Sequence, residues 1–117
     1  MQPPRFVPSS TYRLQVHKGF TLRDAAAIVP YLRRLGIGAV YTSPYFAAEP
    51  GSTHGYDVTN HNIINPEVGG PEAHREFTDA VRSAELQHIV DFVPNHMVTN
   101  SPSVTRFLSA PVCASYR

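Results

Sequence analysis

Ile37-Gly38-Ala39-Val40-Tyr41-Thr42-Ser43 is a short, mostly apolar run closed by Pro44, with no polar alternation along it. A segment of this kind suits a strand covered on both faces, as in a parallel sheet. Upstream, Thr11-Tyr12-Arg13-Leu14-Gln15-Val16 alternates and puts Tyr12, Leu14 and Val16 on the buried face of a first strand. Between the two, Thr21 and Asp24 form a capping box with Asp in place of Glu, so a helix is predicted to start at Leu22. Ala25, Ile28, Val29, Leu32 and Leu35 keep helical spacing up to Gly36, which suits the left-handed close of a helix. Pro30 interrupts that pattern and predicts a kink, or two short helices of which Pro30 opens the second.

Past Pro44 the periodicity stops. Residues 44–70 accumulate Gly, Pro, Asn, Ser and Thr and read as one long loop of the kind that carries function. Pro71-Glu72 then opens a second helix, with Ala73, Phe77, Ala80, Val81 and Ala84 on a single face. His88-Ile89-Val90-Asp91-Phe92-Val93 is a further short apolar strand that ends at Pro94-Asn95-His96. Strand, helix, strand, loop, helix, strand implies right-handed crossovers and a parallel α/β sheet. Polar residues gather beyond the C-terminal ends of the strands, at Ser43-Pro44-Tyr45 and Pro94-Asn95-His96, where α/β folds place ligand sites.

Composition narrows the function. With 117 residues, 42% of them hydrophobic, and a mean hydropathy of -0.22, the chain has the balance of a globular domain. It falls well short of the roughly 250 residues typical of a closed (β/α)8 barrel. Net charge +1 and pI ≈ 8.0 give no electrostatic case for nucleic acid or an anionic membrane. Cys113 stands alone, so an internal disulfide and a multi-cysteine zinc site are ruled out. No stretch holds the ~20 apolar residues of a membrane span and residues 1–8 lack a signal-peptide core, so the expected location is the cytoplasm. His54, Asp57, His61 and His96 match no standard metal-ligand spacing, and no dense carboxylate cluster surrounds Asp57 and Asn95 to hold calcium. Glycine-rich phosphate cradles are absent as well, so neither a metal nor a cofactor is expected.

Two motifs carry the chemistry. Asp91 places a carboxylate in an apolar strand, which is costly unless the charge is paired or hydrogen-bonded. It reads either as a structural residue that holds a loop or as the organiser of a site at which His96 hydrogen-bonds a ligand oxygen, and the two roles are compatible. In His54-Gly55-Tyr56-Asp57, Gly55 allows a tight backbone, Tyr56 offers an apolar platform for a sugar face, and Asp57 can fix the loop. A purely structural role for this second motif remains open.

Asp91-Phe92-Val93-Pro94-Asn95-His96 resembles the first signature region of the α-amylase family of glycoside hydrolases and transglycosidases, which ends the third strand of a (β/α)8 TIM barrel. Ser10-Thr11-Tyr12-Arg13-Leu14-Gln15, His17-Lys18-Gly19-Phe20, Tyr41-Thr42-Ser43-Pro44-Tyr45 and Gly51-Ser52-Thr53-His54-Gly55-Tyr56-Asp57-Val58 are similar to the N-terminus of that family's maltooligosyl trehalose synthase branch. The resemblance covers roughly residues 9–99 and implies the N-terminal part of such a barrel, about three βα units with an incomplete parallel sheet.

For function, the resemblance implies an isomerase of trehalose biosynthesis. Its intramolecular transglucosylation converts the reducing-end α-1,4 bond of a maltooligosaccharide into an α,α-1,1 bond, with an Asp nucleophile and a Glu acid/base. Those two residues belong to later strands, so no catalytic residue is expected on this chain and it is expected to be inactive alone. The same resemblance makes Tyr56 and His96 substrate-binding residues, with Asp57, Asp91 and Asn95 bracing the site. Relatives commonly carry an acid where Asn60 stands and a glycine-containing turn where Glu85-Leu86-Gln87-His88 stands. The open edges of a three-stranded sheet invite self-association. Residues 100–117 are expected to be a divergent tail, read as out-of-frame or disordered sequence. The rival reading is a small non-catalytic α/β carbohydrate-binding module.

Overall fold

The computed structural model describes residues 7–98, so the reading of residues 100–117 lies outside the described part. Strands β1 (Thr11–Leu14), β2 (Ala39–Thr42) and β5 (Gln87–Val90) form a parallel sheet in the order β1-β2-β5. Their register aligns Arg13 with Tyr41 and Ile89, and Leu14 with Thr42 and Val90. The described residues form an α/β unit with an incomplete parallel sheet and no closed barrel.

Helix α1 (Leu22–Leu35) begins where its capping box requires, and the box is reciprocal. The Asp24 amide donates to Thr21 Oγ1 at 3.4 Å and the Thr21 amide to Asp24 Oδ2 at 2.8 Å. It closes on Gly36, whose φ of 87° lies in the left-handed region. Pro30 does not divide it, so of the two expected outcomes, a kink or a pair of short helices, the pair does not form. Pro30 lies on the exposed side, while Leu22, Ala25, Val29 and Leu32 are buried on the opposite side and hold the helix across the missing amide donor.

Residues 44–70 are also more ordered than expected. They contain an antiparallel hairpin of β3 (Phe46–Ala48) and β4 (Val58–Ile64), with irregular register, followed by a 3-10 turn at Pro66–Val68. Polar Thr59, Asn60, His61 and Asn62 fill the middle of β4 and hide it from any alternation test. Helix α2 (Gly70–Ser83) then packs beside α1. Leu14, Val16 and Val40 meet Leu22, Val29 and Leu32 of α1 and Phe77 and Val81 of α2 in one core. Tyr12, expected on the buried face, is 40% exposed, whereas Leu14 on the same strand is 5% exposed. Arg13, Tyr41 and Ile89 point to the other face, where Ile89 is 42% exposed.

A cluster of tilted and edge-on rings joins the sheet to α2. His88 lies 5.1 Å from Phe77 and 6.1 Å from Tyr45, and its Nε2 is 3.1 Å from Thr42 Oγ1. His74 Nε2 is 3.2 Å from the Tyr45 hydroxyl. Burial pushes both imidazoles below their usual pKa, and the proximity of His74 adds to the effect on His88. The unfolded chain therefore binds more protons than the folded one below about pH 6.5, and stability falls as pH drops through that range toward the folded values. A Tm series from pH 8 to pH 5 is expected to fall, and His88→Gln, which keeps a hydrogen-bonding side chain without its charge, to flatten the fall.

Glu85 has a φ of 59° and follows α2 at the position where the family resemblance expects a glycine-containing turn. A left-handed non-glycine residue costs roughly 1–2 kcal/mol, partly offset when glycine brings its own entropy loss. Glu85→Gly is expected to stabilise the fold by about 0.5–1 kcal/mol and to raise Tm by a few degrees.

Candidate functional site

The C-terminal ends of the strands are tied together first by backbone. The Ser43 amide donates to Leu14 O at 2.9 Å, and the buried Ser43 hydroxyl accepts from the Val16 amide at 2.8 Å. The Asp91 amide continues the ladder by donating to Thr42 O at 3.0 Å. These bonds bring Arg13, Tyr41 and Asp91 to one side at one end of the sheet.

The loop between β3 and β4 folds down onto this end. Gly55 makes that approach feasible: its φ is 80°, and a Cβ there would lie 2.2 Å from the Pro44 carbonyl oxygen. Asp57 braces the loop by accepting from the Ser52 hydroxyl, which in turn accepts from the Gly55 amide at 3.0 Å. His54 Nδ1 accepts from the Tyr56 amide at 3.0 Å, and the two rings stack with centroids 5.8 Å apart.

Tyr56 is held at its far end too. Its hydroxyl donates to Asp91 Oδ2 at 2.6 Å, and the Tyr41 hydroxyl donates to the same oxygen at 2.6 Å. These two phenols, Tyr41 foremost, hold the Asp91 carboxyl below its usual pKa, and the nearby Arg13 charge adds to the effect. The Tyr41 hydroxyl is in turn raised by its bond to Asp91. Arg13 Nη2 donates to the Tyr56 hydroxyl and Nη1 to Gln15 Oε1, each at 3.2 Å, while Gln15 Nε2 donates to Thr53 O at 2.7 Å.

Of the residues singled out in the sequence, Tyr56, Asp91, Asp57 and His96 thus belong to one connected arrangement. His96 is exposed, and its Nε2 lies 3.0 Å from Tyr56 O, so here it contacts the backbone of the platform loop. Asn95 is exposed in the turn after β5 and takes no part in these bonds among the described residues. The described residues hold no group of three or more His, Cys, Asp and Glu arranged for a metal ion. Sequence reasoning missed Arg13, Tyr41 and Gln15. The signal was the polar phase of β1 and β2, where residues out of step with the buried Leu14, Val40 and Thr42 face the site.

Both carboxylates of the cluster act as acceptors that hold the loop, Asp57 from Ser52 and Asp91 from Tyr56. Gly55→Ala should put a methyl group against the Pro44 carbonyl and force a strained φ, costing about 2–4 kcal/mol. Thermal melts should register that loss, and NMR should show displaced Tyr56 ring signals.

Comparison with known proteins adds identity to this geometry. Residues 18–111 match the α-amylase catalytic domain. A Mycobacterium tuberculosis protein provisionally named a maltooligosyl trehalose synthase is 42% identical over 98 residues, covering 80% of this chain and 13% of that protein. Maltooligosyltrehalose synthase from Arthrobacter ramosus superposes with a TM-score of 0.79 at 47% identity, over 86% of this chain and 13% of that one. An α-amylase from Geobacillus thermoleovorans shares the fold, with a TM-score of 0.78 at 22% identity over 92% of this chain and 26% of its own. The chain therefore spans about 13% of the length of the curated relatives it matches first. Among the described residues no helix is long and apolar enough to cross a membrane. With the catalytic-domain match running through most of its length and the sheet superposing on barrels of the same kind, the chain belongs to the α-amylase family.

Proposed function

We propose that this chain is the part of a maltooligosyl trehalose synthase-like barrel that builds the floor of its sugar site, and that it does not itself break the glycosidic bond. The carrying observation is the Tyr56 ring, pinned by Asp91 and Arg13 at its hydroxyl and by His54 and His96 at its backbone. A rigid aromatic face with polar groups at its rim suits a pyranose, whose ring presents C–H groups to the aromatic and hydroxyls to the rim. The substrate is then a maltooligosaccharide, in keeping with the synthases at 40–48% identity.

The reaction served is intramolecular transglucosylation. A carboxylate forms a glycosyl ester at the anomeric carbon while an acid protonates the departing sugar oxygen, and the freed glucose returns through its own anomeric hydroxyl. Retaining chemistry of this type needs two carboxyl groups about 5–5.5 Å apart. Asp57 and Asp91 are both engaged in holding the loop and serve neither role. Tyr56 and His96 bind sugar, Asp57 and Asp91 brace the site through their hydrogen bonds, Asn95 stands beside it in the turn after β5 without a bond to the cluster among the described residues, and the protein works in the cytoplasm without a cofactor. Alone, the chain associates through the open edges of β1 and β5.

Calorimetric titration with maltopentaose is expected to give saturable binding that weakens about tenfold in Tyr56→Ala, or about 1.4 kcal/mol, and weakens also in His96→Ala. A reducing-end assay under the same conditions is expected to show no turnover. Catalysis by the pure chain would overturn the assignment of bond breaking to groups outside it, whereas binding that is indifferent to Tyr56 would overturn the platform.

A further inference from the structure

We propose that Arg13 is the positioning residue of the platform, fixing the tilt of the Tyr56 ring from strand β1. This rests on the reading of Tyr56 as the sugar-facing ring. The geometry makes Arg13 one end of a chain from cation to phenol to carboxylate: Arg13 Nη2 donates to the Tyr56 hydroxyl at 3.2 Å, which donates to Asp91 Oδ2 at 2.6 Å. A phenol oxygen that accepts on one side and donates on the other is held at one point in space.

The opposite end of Tyr56 is held as well, because its amide donates to His54 Nδ1 and its carbonyl lies 3.0 Å from His96 Nε2. Fixing both ends defines the long axis of the ring and leaves only rotation about that axis, which stacking against His54 restricts. Without Arg13, the hydroxyl keeps a single tether to an oxygen that it already shares with Tyr41, and the axis can pivot about Asp91.

Two further observations point to Arg13 and away from an incidental surface contact. Among the described residues its fork is spent on two neutral acceptors, the Tyr56 hydroxyl and Gln15 Oε1. Gln15 then donates to Thr53 O at 2.7 Å, so the one side chain secures the platform ring directly and its loop through an intermediary. The role uses both properties that distinguish arginine from lysine, a charge beside Asp91 and a planar fork that reaches two partners at once.

Charge and fork are separable by substitution. In the 117-residue chain, the Asp91 carboxyl is followed by 13C NMR through a pH titration, and the ring contact of Tyr56 with His54 by nuclear Overhauser effects. Arg13→Met is expected to raise the Asp91 midpoint and abolish the ring contact, with the circular dichroism spectrum unchanged because Arg13 is exposed. Arg13→Lys is expected to restore the midpoint but not the ring contact. Maltopentaose affinity should fall several-fold in both variants. A Tyr56–His54 contact that survives in Arg13→Met, or in Arg13→Lys should the first variant fail to fold, overturns the proposal. If both NMR changes occur but the unsubstituted chain binds no maltopentaose, the sugar reading fails and the positioning role stands.

Discussion

A single carboxylate oxygen, Asp91 Oδ2, receives the hydroxyls of Tyr41 and Tyr56, and the C-terminal end of the parallel sheet is organised around it. Charge placed at the exit of an apolar strand is tolerated only when hydrogen-bond donors replace the water it loses. Here one donor comes from the neighbouring strand β2 and the other from the loop between β3 and β4. Arg13 extends the same network to β1. All three parallel strands and the loop above them therefore meet at one anionic group, and moving any of them disturbs the solvation of that charge. The demand of Asp91 for donors thereby shapes this end of the sheet.

The two faces of the sheet differ in their cover. On one face, Leu14 and Val40 are covered by α1 and α2, and the apolar burial that holds the fold together is concentrated there. The other face carries Arg13, Tyr41 and Ile89 without such cover. Residues on it are free to be polar, which is why the cluster of Arg13, Tyr41 and Asp91 can exist at the same sheet end as an oily core. Phe92, 54% exposed just beyond β5, marks how far the apolar surface continues past the covered region.

Local signals predicted the strand-helix-strand order well, because the decisive residues act over a few positions. Thr21, Asp24 and Gly36 set the ends of α1 by bonding to their own turns, and such chemistry is readable without knowing the rest of the fold. At Pro30 local signals left a kink and a split helix both open, because its cost is local but the compensation from buried Val29 and Leu32 is tertiary. β4 escaped detection because Asn60, His61 and Asn62 are polar in succession and break any alternation, His61 reaching Val93 O and the aromatic rings of Phe46 and Phe92. In the site, Tyr56 and Asp91 stood out as unusual residues in their segments. Arg13 and Tyr41 did not, since a polar residue on an alternating strand looks like an ordinary solvated face until topology places it beside a carboxylate.

Orientation and bond cleavage make opposite demands on an acidic side chain. A carboxylate that positions a ring is best saturated with donors, which hold its charge and its rotamer and keep its pKa low, as the phenols do for Asp91. One that attacks an anomeric carbon must keep an oxygen unencumbered, and one that donates a proton needs a raised pKa. Asp91, which takes two phenols on Oδ2, and Asp57, whose Oδ1 accepts from Ser52, meet the first demand, and the lowered pKa of Asp91 sets it against the role of proton donor. On the proposed reading of Tyr56 as a sugar platform, a glycosyl transfer built on this floor draws its acid from a carboxyl group other than Asp91, so that the platform stays rigid while the reacting groups change protonation around it.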